Sequence, residues 1–144
     1  MRTFAFLLIS VLAFPACNAQ PSNGALELRV SGGFLGPEFV VTVSESGNLS
    51  VSRTDHKAAT QLVEKQLSAS DQQQILLLAN QSDDFGAGCN QSVPDGTTAN
   101  LRGHYAGRDF DRHVSLCGVW PSGARTAALV SVINSHLPVA MHVF

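Results

Sequence analysis

The residues with the clearest chemical potential lie close together in the second half of the chain: His104, Asp109, Asp111 and His113. Imidazole and carboxylate groups ligate metals and transfer protons in general acid–base catalysis. Arg102 lies among them and already supplies a positive charge, which disfavours a cation site. The sequence therefore favours a second interpretation, a solvated strand face with His104–Asp109 and Arg102–Asp111 as cross-strand pairs.

Other catalytic patterns are missing from the sequence. The chain has no Gly-x-Ser-x-Gly nucleophile motif, no phosphate loop and no dinucleotide fingerprint. Asp83 and Asp84 are adjacent carboxylates that could bind calcium, but the EF-hand spacing is absent, so we expect a turn there. We predict that the chain is not an enzyme, and that it has neither a catalytic residue nor a metal or cofactor site.

The start of the chain has the order of a secretory signal. One basic residue, Arg2, precedes an almost unbroken apolar run from Phe4 to Phe14, and small residues follow. The run is too short to span a bilayer, which takes about 20 apolar residues. We therefore predict a signal peptide over residues 1–16 and export of the mature chain.

Two cleavage sites are compatible with this signal. Phe14-Pro15-Ala16-Cys17 resembles a bacterial lipobox, in which Cys17 is lipidated and becomes the new N-terminus. Ordinary cleavage after Ala19 is the alternative. Residues 17–24 are polar and rich in turn formers, which predicts a flexible tether. The first cleavage predicts a periplasmic or outer-membrane-tethered lipoprotein, and the second predicts a secreted protein.

Two cysteines remain within the predicted folded domain, residues 25–144. In an oxidising compartment Cys89 and Cys117 are most simply one disulfide, closing a loop of about 28 residues. The formal net charge is −2 and no basic patch is present, so nucleic acid is not expected as a partner.

Hydropathy patterns predict the elements that must position these residues. Two-residue alternation predicts three strands, and helical periodicity predicts a helix with Ser68 as its N-cap and a second helix that Pro138 ends. The strands cover about 26–30, 39–44 and 49–53, and the helices cover about 69–80 and 124–137. Residues 60–65 fit either a short strand or a loop.

A hairpin between the helices has a register that can be derived from the pattern. If the chain turns at Ala106-Gly107, Tyr105 lies opposite Arg108 and the two faces separate into one mostly apolar and one polar. The predicted apolar face carries Gly103/Phe110, Leu101/Arg112, Ala99/Val114 and Thr97/Leu116. The resulting order, β-β-β-α-β-β-α, predicts an α+β fold with two helices packed on one face of an antiparallel sheet.

The connection between the first two strands is rich in glycine. Gly32, Gly33 and Gly36 predict a shaped loop, because glycine permits positive φ and close backbone approach. Phe34 and Leu35 lie between them. These two apolar side chains either fold back onto the core or stand at the tip of the loop as anchors for a partner.

The run from Val30 to Gly36, a strand leading into Ser-Gly-Gly-Phe-small-Gly, resembles emfourin-type proteins. These are small bacterial proteins related to the inhibitor of the thermolysin-like protease protealysin. Further matches are a helix opened by Ser68-Ala69-Ser70-Asp71, a Pro94-Asp95-Gly96 turn before a hairpin, and a closing helix. The similarity covers most of residues 25–137.

The resemblance implies a compact sheet with packed helices that blocks the active-site cleft of a metalloprotease and has no catalysis of its own. The chain departs from the pattern in its export signal, its predicted disulfide, its longer loop over 82–96, and Leu35 in place of alanine. We expect an exported binding protein that inhibits a secreted metalloprotease. The alternative is an envelope lipoprotein with a structural or ligand-binding role, attached to the membrane only through Cys17.

Overall fold

A computed structural model of the chain describes residues 24–33, 36–56, 58–86, 96–115, 121 and 123–143. In this part of the chain the elements form an α+β domain, which confirms the predicted class. In order they are β1 (Gly24–Ser31), β2 (Glu38–Val43), β3 (Asn48–Thr54), β4 (Gln61–Gln66), α1 (Ala69–Gln81), β5 (Thr98–Tyr105), β6 (Arg108–Ser115), α2 (Ala124–Ser135) and a 3-10 turn, Val139–Met141.

The strands form one antiparallel sheet in the order β4-β3-β2-β1-β5-β6. The segment that fits either strand or loop by sequence is strand β4, which pairs Val63 with Val51 of β3. β4 lies at the edge of the sheet and is exposed along most of its length, with Leu62 59% exposed. An edge strand of this kind has no buried face to produce a clear alternation, which explains the ambiguous sequence pattern.

The register predicted for the β5–β6 hairpin is confirmed. Tyr105 lies opposite Arg108, and Gly103 lies opposite Phe110. Both turn residues have positive φ, +51° at Ala106 and +74° at Gly107, a combination whose twist suits a two-residue hairpin turn. The outermost predicted pair, Thr97 with Leu116, includes a residue outside the described part of the chain.

The core lies between one face of the sheet and the two helices. Its fully buried side chains come from the strands and from both helices, and include Leu28, Val41, Val51, Leu101, Ile75, Leu76, Leu129 and Ile133. This apolar contact holds the helices against the sheet, because burying each such side chain stabilises the folded state by about 1.5–3 kcal/mol. We call the opposite side of the sheet the open face; along β1, β5 and β6 it carries Ala25, Glu27, Arg29, Asn100, Arg102, His104, Asp109, Asp111 and His113.

Helix α1 begins as predicted. The Ser68 hydroxyl accepts a hydrogen bond from the Asp71 amide at 3.1 Å and donates one to the Asp71 carboxylate at 2.7 Å. These bonds satisfy part of the first turn, where amides lack partners within the helix.

The other end of α1 is stabilised by a side chain from a distant strand. Arg112 lies on the core side of β6, and its guanidinium donates to the carbonyl oxygens of Ala79 at 3.1 Å and Asn80 at 2.8 Å. The last carbonyls of a helix lack partners within it and attract positive charge. Arg112 also lies over the Phe110 ring, 5.5 Å from the ring centroid. An arginine on an otherwise apolar face therefore joins the hairpin to the helix.

We expect Arg112→Met to lower the free energy of unfolding by about 1–2 kcal/mol, since it keeps the side-chain stem but removes two charge-assisted hydrogen bonds. Urea denaturation measures the change. Arg108→Met is the matched control, because Arg108 is an exposed arginine at the start of the same strand. Equal effects of the two substitutions would contradict the assigned role of Arg112.

Candidate functional site

The loop between β1 and β2 closes at a narrow neck. The Gly32 amide donates to the Pro37 carbonyl oxygen at 2.9 Å. A Cβ on Gly32 would lie only 2.8 Å from Gly36 Cα, and a Cβ on Gly36 would overlap the Gly32 backbone. The two glycines are therefore required by close contact between the two sides of the loop.

The neck also contains a left-handed residue. Gly33 has φ +77°, a conformation that glycine adopts at low cost. Gly32, Gly33 and Gly36 thus all lie at the neck of the loop. Phe34 and Leu35, predicted to contact a partner, lie outside the described residues, and their role stays a prediction.

A cleft of about 320 Å³ lies beside the neck. Gly33, Gly36, Glu38, Asp55 and His56 contribute to its lining. Arg53 holds one wall in place, because its guanidinium contacts the Asp55 carboxylate at 3.0 Å and donates to the Ala140 carbonyl oxygen at 2.6 Å. These contacts join the end of β3, which forms one wall of the cleft, to the C-terminal 3-10 turn.

The histidine and aspartate residues of the β5–β6 hairpin all lie on the open face, as the predicted register requires. His104 lies opposite Asp109, and Arg102 lies opposite Asp111. Metal binding by this group finds no support in the geometry: across the described residues, no three His, Cys, Asp or Glu side chains come together to hold an ion.

The predicted cross-strand pairs of the hairpin are confirmed as neighbours in the register, but neither pair forms a salt bridge. Arg102 instead contacts Glu27 of β1 at 2.7 Å, and His104 contacts Glu45 of the β2–β3 turn at 3.1 Å. β5 has a neighbouring strand on each side, so its basic residues can pair with β1 or with β6. Glutamate reaches further than aspartate by one methylene, which favours these partners over Asp109 and Asp111.

Glu27 connects two arginines on the open face. Its carboxylate accepts hydrogen bonds from Arg29 at 2.8 Å and from Arg102 at 2.7 Å. The hydrogen bond from Arg29 has the largest effect on the pKa of Glu27 and lowers it. Partial burial raises the pKa, and the hydrogen bond from Arg102 lowers it again, so that the pKa of Glu27 lies below its usual value. Glu27 is thus a stable anion that pairs with both arginines, and its one negative charge balances one of their two positive charges.

A groove of about 540 Å³ crosses the open face over β2, β1, β5 and β6. Small side chains lie on its floor, among them Ala25 and Thr42, and charged side chains surround them. The ionisable residues of the lining are Glu27, Arg102, His104, Asp109 and Asp111. These side chains are identifiable in the sequence, but the depression between them is not, because its depth depends on which residues neighbouring strands place side by side.

The aspartate pair after α1 forms a turn, as the sequence favours, and one member has a second role. The Asp84 carboxylate accepts hydrogen bonds from the Arg125 amide at 2.8 Å and from the Thr126 amide and hydroxyl at 3.0 and 2.8 Å. It therefore caps the N-terminus of α2 from another part of the chain. The sequence signal for this contact is Gly123 at the N-cap position, which has no side chain to make the cap itself.

Several predictions fall on residues outside the described ranges. These are the signal peptide over 1–16, the tether over most of 17–24, the lipidation of Cys17, and the disulfide between Cys89 and Cys117. All of them stay predictions. Within the described ranges, no helix combines the length and apolar character needed to cross a membrane.

No family model matches the chain, and no curated protein matches it closely enough to count as a relative. The resemblance to emfourin-type proteins therefore contributes to the function only as a proposal.

Proposed function

We propose that this chain is an exported, non-catalytic binding protein that presents the β1–β2 loop to a protein partner, and that the partner is a thermolysin-like metalloprotease, which it inhibits. The observation that carries the proposal is the closed neck of the loop. A hydrogen bond from Gly32 to Pro37 and the contact between Gly32 and Gly36 hold its two sides together.

The position of the neck supports a role in binding. The loop joins β1 and β2, which are the two central strands of the sheet, and hydrogen bonds along both strands hold its ends. A loop whose base is already ordered loses less conformational entropy when a partner binds it. Binding residues are often found on loops that a rigid scaffold positions in this way.

Inhibition of a thermolysin-like metalloprotease tests the proposal directly. Peptidase activity should fall stoichiometrically as purified chain is added. We expect Gly36→Ala to raise the apparent inhibition constant at least tenfold, because the added Cβ would overlap the Gly32 backbone and force the neck open. Phe34→Ala combined with Leu35→Ala tests the sequence-predicted anchors in the same assay.

Gly107→Ala is the control for the loop variants. It replaces a glycine of positive φ at the other end of the sheet, where a Cβ would meet no atom within 4 Å. Inhibition should be unchanged in this variant. An absence of protease inhibition by wild-type chain at micromolar concentration would contradict the inhibitor function. If Gly36→Ala and the Phe34→Ala, Leu35→Ala double variant both inhibit as wild type does, the protease contacts a surface other than the β1–β2 loop.

The groove on the open face favours a second candidate function, an envelope protein that binds a ligand and has no protease target. A groove of about 540 Å³ is within the size range of ligand sites. Recovery of a specific envelope partner by wild-type chain and by Gly36→Ala alike, without protease inhibition, would favour this candidate.

A further inference from the structure

The groove on the open face combines an apolar floor with an uneven distribution of charge. Ala25 and the main chain near Gly103 contribute to the lining, whose accessible atoms are mostly apolar. Asp109 and Asp111 contribute to it from β6 and are exposed. The chemistry of an occupant must therefore suit both apolar contact and the charge of these side chains.

Among the described residues of the groove lining, the one guanidinium, that of Arg102, already has an anionic partner. Arg102 donates to Glu27 at 3.1 Å through Nε and at 2.7 Å through Nη2. Asp109 and Asp111, in contrast, form no ion pair with any residue that the structure describes. The groove therefore has an excess of negative charge, located along β6.

The number of carboxylates limits the kind of cation that fits. Asp109 and Asp111 lie two residues apart on one strand, so their side chains share a face and their Cα atoms are about 7 Å apart. A Ca²⁺ ion takes about six to eight oxygen ligands, more than two carboxylates supply, and among the described residues no third His, Cys, Asp or Glu side chain joins them to hold an ion. A guanidinium or ammonium group is larger and can contact both, while an anion would be repelled.

We infer that the groove binds a basic side chain, arginine or lysine, from an extended segment of a partner protein. The alkyl part of that side chain lies on the apolar floor, and its cationic group lies between Asp109 and Asp111. Long basic side chains commonly combine these two contacts. The inference concerns a surface separate from the β1–β2 loop, and it does not depend on inhibition of a protease.

A peptide titration followed by NMR tests the inference on the full chain. The probe is a Gly-Arg-Gly peptide blocked at both ends, and the same peptide with citrulline in place of arginine is the neutral isostere. We expect saturable shift changes at Thr42, Gly103 and Asp111 with the arginine peptide, and affinity at least fivefold weaker with the citrulline peptide.

Two variants of the groove make the test specific. Asp109→Asn combined with Asp111→Asn removes the charge, and Ala25→Leu fills the floor without changing any charge; each should weaken binding at least fivefold. Glu64→Gln removes a carboxylate from β4, outside the groove, and should leave binding unchanged. Equal binding of the citrulline peptide, or equal binding by both groove variants, would overturn the inference. Gly36→Ala should bind the peptide as the wild type does. Failure of peptide binding can therefore be distinguished from failure of the proposed protease inhibition.

Discussion

Gly103→Ala is expected to lower the free energy of unfolding by about 3 kcal/mol, a large effect for the addition of one methyl group. Gly103 lies on β5 between Leu26 of β1 and Phe110 of β6. Its Cβ would overlap the Ala25 carbonyl oxygen, and would lie 2.8 Å from Phe110 Cζ and 2.9 Å from Leu26 Cα. Two of these three atoms belong to the main chain of β1, so relief requires movement of a central strand.

Urea denaturation of Gly103→Ala and Gly107→Ala separates this steric cost from the general cost of replacing glycine. Gly107 has φ +74° and open space around it, so alanine there should cost about 1 kcal/mol through backbone conformation alone. We expect Gly103→Ala to lose clearly more free energy of unfolding than Gly107→Ala. A loss at Gly103 no greater than the loss at Gly107 would show that β1 and β5 accommodate the methyl group.

The β5–β6 register could be predicted because two local signals agree. The Ala106-Gly107 turn sets the pairing, and a shift by one residue would move Leu101 and Phe110 from the core to the open face. The same reasoning explains why the helix start at Ser68 was predictable, since its capping partner Asp71 lies only three residues away. Signals contained within a few residues of sequence were sufficient in both cases.

Contacts between distant segments could not be derived in this way. Arg112 was placed on the core side of its strand, but nothing near it in sequence indicates that it meets Ala79 and Asn80 of α1. The pairing of Arg102 with Glu27 was missed because it requires β1 to lie beside β5, which no local pattern indicates. Strand order in the sheet decides which charges meet.

The candidate sites differ in how far the sequence predicts them. The glycines of the β1–β2 loop are identifiable by composition, and the structure adds the contact between Gly32 and Gly36 that closes the neck. The groove on the open face is lined by residues from four strands, so it can be identified only once the order of strands in the sheet is known. A loop at one end of the sheet and a groove toward the other give the chain two separate surfaces for contact.

Asp84→Ala is expected to lower the free energy of unfolding by about 2–3 kcal/mol, comparable to a strong N-cap together with one unsatisfied buried hydroxyl. The substitution removes three hydrogen bonds at the start of α2, and it leaves the hydroxyl of the fully buried Thr126 without its acceptor. Urea denaturation at neutral pH measures the loss. Asp83→Asn is the matched control, since the Asp83 carboxylate contacts only the exposed Arg125 side chain among the described residues. This substitution should change the free energy of unfolding by less than about 0.5 kcal/mol.

The pH dependence of stability gives a second measure of the same contact. Burial acts to raise the pKa of Asp84, but the hydrogen bonds from Arg125 and Thr126 outweigh it and hold the pKa below the usual aspartate value. Because the pKa of Asp84 is lower in the folded state than in the unfolded state, ionised Asp84 contributes to the free energy of unfolding. This contribution is complete above the unfolded-state pKa of about 3.9, and it is lost as the pH falls through the folded-state pKa. The difference in stability between wild type and Asp84→Asn should therefore be constant from pH 7 to about pH 5, and should shrink below about pH 4. A difference that grows on acidification would mean that the anionic form of Asp84 is not the one that stabilises α2.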